Sequence, residues 1–251
     1  MRMKYIVAGN WKMHFTHSEV LNLALELKEN LGQQSRKADI FVFPPTIFLK
    51  DVQDALFGSV IQAGAQNIYF QDEGAYTGEV SPLMLKSIGC SLTLVGHSER
   101  RNYFNEDDAM LRNKLLACKR WDILPILCIG EKLEDRENGK TEDVLASQIT
   151  KTLDKTEMER LIIAYEPVWA IGTGKIATPQ QAQESHRFIK KLTKHITGKD
   201  IPVIYGGSVK VENAETLAKE KDIDGFLIGG ASLHKESFVK IVNEFIRVKG
   251  L

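Results

Sequence analysis

The chain has 251 residues, of which 43% are hydrophobic and 26% charged, a composition typical of a soluble globular protein. Lys and Arg together number 33, as do Asp and Glu, and this zero net charge gives no support for nucleic acid or a membrane surface as a partner. Three cysteines without a Cys-x-x-Cys pair, no signal-peptide pattern and no membrane-spanning apolar run predict a cytoplasmic protein.

Eight short apolar runs recur along the chain. They are Tyr5–Ala8, Ile40–Phe43, Val60–Ala63, Leu92–Val95, Ile123–Ile129, Leu161–Tyr165, Val203–Tyr205 and Gly225–Ile228. Most lack polar alternation, which is typical of parallel strands covered on both faces. Successive runs start about 20 to 45 residues apart, which leaves room for a helix between them.

The segments between these runs carry helix signals. Thr16 and Glu19 form a capping-box pattern ahead of apolar residues at i, i+3 and i+4 spacing. Ser81 precedes a proline at the first helical position, and Thr178-Pro179-Gln180-Gln181 combines a cap, a proline and a capping-box glutamine. These signals predict a helix after most of the strands.

Eight strand-then-helix units in a chain of this length predict a closed (β/α)₈ barrel of eight parallel strands ringed by helices. The alternative is an open doubly wound sheet, which would normally have fewer strands. No linker or low-complexity stretch interrupts the sequence, so we expect one domain covering residues 1–251.

Polar residues follow the apolar runs, where barrel enzymes place their chemistry. The first run leads into Asn10 and Lys12, the fourth into His97 and Glu99, and the sixth into Glu166. A glutamate emerging from a buried strand is either a structural ion-pair partner or a general base. The sequence after it, Pro167 to Ala177, is apolar with two glycines, which suits a lid that excludes water.

Two nucleotide-like patterns fail on their context. Gly172–Ala177 fits G-x-G-x-x-A, but it does not directly follow a strand, and the next helix signal comes only at Thr178. Gly139–Thr141 resembles the end of a P-loop, but Glu134 stands where the first glycine is required. His14 and His17 could pair on a metal, but no further ligand joins them, so we predict no metal site.

Glycine pairs follow the seventh and eighth runs, at Gly206-Gly207-Ser208 and Gly229-Gly230. Such turns expose backbone N–H groups, and barrel enzymes commonly bind phosphate with the loops after strands 7 and 8. The alternative is that these turns need glycine for conformation alone. Their position favours a phosphate site.

Together these motifs resemble the triosephosphate isomerases. The matching stretches, in family order, are Asn10–Lys12, Gly64–Asn67, Gly74–Glu79, Val95–Arg101, Ala164–Gly174, Tyr205–Ser208 and Leu227–Leu233. Gln180 and Lys210-Val211 depart from the usual pattern, but both lie at helix starts outside the expected chemistry.

The resemblance implies interconversion of dihydroxyacetone phosphate and D-glyceraldehyde 3-phosphate, in glycolysis and gluconeogenesis, without a cofactor. The family is itself a standard illustration of pKa tuning, so the roles are carried over from it. Glu166 would be the base, neutral His97 and Lys12 would stabilise an enediolate with help from Asn10, and Glu99 would stand behind Lys12. The phosphate ligands would be Gly172, Ser208, Gly229 and Gly230.

The resemblance also implies a homodimer. The loop Asn67–Glu79 is long and carries Tyr69, Phe70 and Tyr76, and loops of this length are usually functional. By resemblance it would dock into a second subunit, with Thr77 reaching toward the active site of that subunit.

Three other functions compete with this interpretation. Another barrel enzyme of sugar phosphates could be an epimerase, or an aldolase that would have Lys12 as its sole Schiff-base candidate. An NAD-dependent dehydrogenase rests on the weak glycine pattern alone. A catalytically inactive dimer would be expected to have lost Lys12, His97 or Glu166, and all three are present.

Overall fold

The computed structural model describes residues 5–31, 38–170 and 176–251. Eight strands lie in these ranges: β1 (Ile6–Asn10), β2 (Asp39–Phe43), β3 (Ile61–Ala63), β4 (Leu92–Val95), β5 (Leu124–Ile129), β6 (Ile162–Tyr165), β7 (Val203–Tyr205) and β8 (Gly225–Ile228). They form one sheet in the order β3-β2-β1-β8-β7-β6-β5-β4. Each of the eight predicted runs therefore contains or overlaps a strand.

The sheet closes on itself. β1 pairs in parallel with both β2 and β8, so that Ile6 lies opposite Asp39 on one side and Gly225 on the other. The two ends of the sheet meet where Ala65, just after β3, bridges Thr93 in β4, and the N–H of Leu94 donates to the carbonyl of Ala65 at 2.9 Å. The predicted (β/α)₈ barrel is thus confirmed over the open sheet.

Helices surround the ring. They are α1 (His17–Leu31), α2 (Leu49–Ala55), α3 (Pro82–Ser87), α4 (Ser98–Tyr103), α5 (Asp108–Arg120), α6 (Leu133–Glu137), α7 (Thr141–Leu153), α8 (Pro179–Thr197), α9 (Val211–Lys219) and α10 (Lys235–Val248), with short 3₁₀ helices at Thr46–Phe48, Val168–Ala170 and Gly230–Leu233. The predicted cap of α8 is present, since Thr178 Oγ1 accepts from the N–H of Gln181 at 3.1 Å and the side chain of Gln181 accepts in return at 3.0 Å. Within the described ranges, every helix is too short or too polar to cross a membrane.

Two apolar layers hold the barrel together. Alternate strand residues fill its interior: Ile6, Ala8, Phe41, Phe43, Leu92, Leu94, Leu124, Ile126, Cys128, Ile162, Ala164, Ile204 and Leu227. The residues between them, such as Val7 and Val203, pack outward against the helices in a larger cluster. Burial on both faces explains why the strands read as unbroken apolar runs.

Candidate active site

The predicted polar residues meet in one cleft of about 550 Å³ at the C-terminal ends of the strands. Its lining includes Asn10, Lys12, His97, Glu166, Ser208, Gly229 and Gly230. Glu99 lies in a neighbouring cleft that shares Asn10, Lys12 and His97 with the first. Gly172 and the middle of the predicted lid, residues 171–175, lie outside the described residues.

Lys12 is held in an unusual backbone conformation. Its φ of 51° lies in the left-handed region, which disfavours residues with a Cβ. Asn10 Oδ1 accepts from the N–H of Lys12 at 3.0 Å, and Gln66 Nε2 donates to the carbonyls of Lys12 and Phe43 at 2.7 and 2.8 Å. These bonds stabilise the strained turn, which points to a function for the side chain it carries.

The ammonium of Lys12 lies against a carboxylate. Lys12 Nζ donates to Glu99 Oε1 at 2.6 Å, the short distance expected of a charge-assisted hydrogen bond. The sequence predicted this pairing from the family resemblance. Gln66, in contrast, was not predicted as a site residue, although it belongs to the matching stretch Gly64–Asn67.

Glu166 and His97 form a buried pair. The side chain of Glu166 is 2% exposed, and its Oε1 lies 3.0 Å from His97 Nε2. Glu166 Oε2 accepts from the backbone N–H of Ser98 at 2.8 Å. His97 Nδ1 accepts from the N–H of Glu99 at 3.3 Å, which requires Nδ1 without a proton and leaves Nε2–H as the donor of a neutral ring.

The charge state of His97 depends on where Glu166 points. Burial alone lowers the pKa of His97, but the Glu166 carboxylate, aided by Glu99, outweighs burial and raises the pKa above its ordinary value. A Glu166 carboxylate farther from His97 would raise this pKa less, and burial would then favour the neutral imidazole. The neutral ring inferred from the bond between Glu99 and Nδ1 is therefore the form available for chemistry.

Glycines allow the backbone of Glu166 to sit this deep. A Cβ on Gly130, which follows β5, would stand 1.6 Å from the carbonyl oxygen of Glu166. A Cβ on Gly206, which follows β7, would stand 2.9 Å from Cγ of Glu166. Glu166 can therefore occupy this position only because the residues after both neighbouring strands have no Cβ.

The other half of the cleft is bordered by two glycine-rich turns. Gly206–Lys210 and Gly229–Ala231 border it, and a Cβ on Gly229 would stand 3.5 Å from Cε of Lys12. The N–H groups at the start of the 3₁₀ helix Gly230–Leu233 have no intrahelical acceptor, because that helix begins there. This wall suits an anionic group beside the Lys12 ammonium.

The start of the predicted lid is tied to the barrel through Glu131. Its Oε1 accepts from Trp169 Nε1 at 2.9 Å, from the Tyr165 hydroxyl at 3.1 Å and from Arg136 at 3.1 Å. The Arg136 guanidinium also lies over the Trp169 ring, 5.2 Å from its centre. The chain therefore leaves the site from a fixed point at the 3₁₀ helix Val168–Ala170.

Comparison with known proteins agrees with this geometry. A family model described as triosephosphate isomerase matches residues 5–245. Relatives named triosephosphate isomerase include that of Fusobacterium nucleatum, 48% identical over 246 residues, and that of Caldanaerobacter subterraneus, 47% identical over 245 residues. That of Carboxydothermus hydrogenoformans is 49% identical over 246 residues, and each alignment covers 95% of this chain and 98% of the relative. Because the likeness spans the barrel from first strand to last, the chain belongs to the triosephosphate isomerase family.

Proposed function

We propose that this protein interconverts dihydroxyacetone phosphate and D-glyceraldehyde 3-phosphate by proton transfer through an enediolate. The observation that carries the proposal is the pair formed by Glu166 and His97, 3.0 Å apart, in a cleft shared with Lys12. This places a carboxylate, a neutral imidazole and an ammonium around one small volume. The relatives named above support the same reaction.

The residues divide the reaction between them. Glu166 takes a proton from the carbon beside the carbonyl and returns it to the carbonyl carbon, while the hydroxyl proton moves from one substrate oxygen to the other, so no net proton is consumed. His97 Nε2–H donates to the substrate oxygen on which negative charge develops, and Lys12 stabilises that charge through its ammonium. Asn10 holds the Lys12 backbone in place, and Glu99 holds the ammonium.

Glu166 must move to act. In the structure its two oxygens are engaged by His97 Nε2 and by the N–H of Ser98. Substrate binding replaces these partners with the substrate C–H and frees His97 Nε2–H for the substrate oxygen. The bond to Ser98 therefore holds the base in a resting position beside its working one.

The phosphate group would lie against the segments Gly206–Lys210 and Gly229–Ala231. We propose that Ser208, Gly229 and Gly230 hold it, together with Gly172 of the lid. A closed lid would keep water from the enediolate and so limit loss of phosphate from it. The reaction is a proton shift without net oxidation, so it requires no redox cofactor.

The first test is isomerase activity on D-glyceraldehyde 3-phosphate for the parent and for Glu166→Asp. Shortening the side chain by one methylene withdraws the carboxylate from the reacting carbon, and we expect kcat to fall roughly a hundredfold or more. Inhibition by inorganic phosphate should stay close to that of the parent, which shows an intact site. A folded, inactive parent that still binds triose phosphate would contradict the proposal and favour a sugar-phosphate epimerase or aldolase.

We also propose a homodimer. A second cleft of about 640 Å³ adjoins Lys12, Gly78 and Glu79. Apolar side chains stand exposed on and beside its lining: Met13 (94%), Ile47 (81%), Tyr103 (77%) and Phe104 (62%). Exposed apolar patches of this kind mark interaction surfaces.

The occupant proposed for this cleft is the loop around Thr77 of a second copy. That loop is internally ordered, since the Tyr69 ring lies 4.7 Å from that of Tyr76 and Asp72 accepts from Trp121 Nε1 at 2.8 Å. Sedimentation should give a particle of twice 28.2 kDa. Met13→Asp should shift it toward the monomer, and Phe57→Asp, an exposed control outside the cleft lining, should not. A monomeric parent would contradict the proposal.

A cytoplasmic location is proposed as well. Cys90, Cys118 and Cys128 are all free and buried. Burial raises the pKa of each of the three thiols, so they are unreactive and suited to packing. Free thiols are what a reducing compartment maintains.

A further inference from the structure

One side-chain amide spans the turn that follows β7. Asn213, the third residue of α9, accepts the N–H of Lys210 with its Oδ1 at 2.7 Å. Its Nδ2 donates to the carbonyl of Ser208 at 3.0 Å. The two ends of a single half-buried side chain therefore fix both ends of the segment Ser208–Lys210.

The N-cap position of α9 explains one of these bonds. Lys210 occupies that position, and a lysine side chain has donors but no acceptor, so it cannot cap the N–H groups of the first turn. Asn213 instead accepts the N–H of Lys210 itself from inside the helix. Between the two bonds, Val209 is anchored in the core at 5% exposure.

The bond from Asn213 Nδ2 to the Ser208 carbonyl also fixes the direction of a peptide group beside the cleft. A trans peptide points its C=O and N–H in opposite directions, so a Ser208 carbonyl held by Asn213 directs the N–H of Val209 the other way. Gly207, Ser208 and Val209 all line the cleft at its anion-binding side. Without Nδ2, the Ser208 carbonyl is free to rotate toward the cleft, where its negative end would oppose an anion.

We propose that Asn213 is a positioning residue for the substrate phosphate, a monoester dianion. It acts through the peptide groups of Ser208–Lys210 and does not itself touch the ligand. The inference rests on the proposed isomerase function and extends it to a residue outside the cleft lining. The competing explanation is that Asn213 only caps α9.

The test compares Asn213→Ala, Asn213→Asp and the parent. Alanine removes both bonds without adding charge. Aspartate keeps an acceptor for the N–H of Lys210 but turns the donor to Ser208 into a second acceptor, so it preserves the cap and repels the carbonyl. Val211→Asp is the charge control, because it places a carboxylate in the same helical turn and leaves both hydrogen bonds of Asn213 intact.

Five quantities are measured for each protein. They are kcat and KM for D-glyceraldehyde 3-phosphate, the inhibition constant of inorganic phosphate, kcat/KM for D-glyceraldehyde, and the thermal unfolding midpoint. D-Glyceraldehyde lacks the phosphate, so its turnover reports on the proton-transfer residues alone and not on the segments proposed to hold the phosphate. This pairing separates phosphate positioning from general damage.

For both Asn213 variants we expect KM and the phosphate inhibition constant to rise roughly tenfold, the size expected when one hydrogen bond to a charged group is weakened. D-Glyceraldehyde turnover should stay within about twofold of the parent, because the bond of Glu166 to His97 and that of Lys12 to Glu99 are unchanged. Asn213→Asp should unfold at or above the parent midpoint, because a carboxylate favours the first turn of a helix. Val211→Asp should raise the inhibition constant by less than about threefold.

The inference is overturned if Asn213→Asp binds phosphate like the parent, since the cap would then be the whole role. It is overturned equally if D-glyceraldehyde turnover falls in parallel, or if Val211→Asp matches Asn213→Asp. Should Asn213→Ala fail to fold, Asn213→Asp alone decides. If the parent does not isomerise triose phosphates, the proposed function fails, and calorimetric binding of inorganic phosphate to the same variants still tests the role of Asn213.

Discussion

A buried imidazole should make this protein sensitive to mild acid. His186 on α8 is fully buried, and the backbone of Asp222 and Val203 offsets that burial only in part. Its ring packs edge-on against Tyr165, with centres 5.7 Å apart, and lies 6.2 Å from the Tyr205 ring. Burial, together with the nearby Lys190 ammonium, lowers the pKa of His186 to about 3.

The sign and size of the effect follow from the two pKa values. An unfolded chain protonates this histidine near its ordinary pKa of 6.5, whereas the folded protein does so near 3. Between these values the unfolded state binds more protons, so the free energy of unfolding falls as the pH falls. Lowering the pH from about 7.5 to about 5 should cost the parent about 2 kcal/mol through this group alone.

The contribution of His186 is measured by urea unfolding of the parent and of His186→Phe, at both pH values and at equal protein concentration. Phenylalanine keeps an aromatic ring against Tyr165 but cannot take up a proton. Relative to the parent, the variant should gain about 2 kcal/mol of stability on going from about pH 7.5 to about pH 5. His195→Phe, at an exposed position on the same helix, is the control and should leave the pH dependence unaltered. If the stability difference between parent and His186→Phe is the same at both pH values, the reasoning is refuted.

Three further outcomes follow from the geometry. In Glu166→Gln, burial is left as the largest influence on His97, and its pKa, followed by NMR titration of the ring, should fall below the parent value; an unchanged pKa would show that the carboxylate does not control the ring. Gly130→Ala would place a Cβ 1.6 Å from the Glu166 carbonyl oxygen, so isomerase activity should drop at least about a hundredfold, and near-parent activity would contradict the packing. Lys114→Met removes one of the two cations that lie 2.6 Å from the 2%-exposed Glu106 carboxylate and leaves the other, Arg100, so the free energy of unfolding in urea should fall by about 1–3 kcal/mol, and an unchanged value would contradict a buried pair.

The strands were the most predictable part of the fold, because burial on both faces leaves a signal that does not depend on tertiary detail. The position of a polar residue just after such a run was sufficient to place Lys12, His97 and Glu166 on one rim. The cap of α8 was equally predictable from the sequence, because Thr178 and Gln181 bond to each other within one turn. Each of these inferences depends on residues that are close in sequence.

Support from distant residues could not be predicted in the same way. Gln66 reaches Lys12 across 54 positions, and Glu131 reaches Trp169 across 38. Nothing in the local sequence of either residue specifies its partner. The single domain over residues 1–251 and the role of Gly172 stay predictions, the latter because that residue lies outside the described ranges.

Pairing the first strand with the last makes this barrel dependent on complete synthesis. β1 is bordered by β2 and β8, and the N–H of Ile6 donates to the carbonyl of Asp224 at 3.0 Å. A nascent chain emerging from the ribosome presents β1 long before β8 exists, so one edge of the growing sheet has unpaired N–H and C=O groups throughout translation. Contacts between such distant positions also form slowly. A chain whose synthesis stops before Gly225 would therefore have a sheet with an open edge, and that edge could pair with another chain.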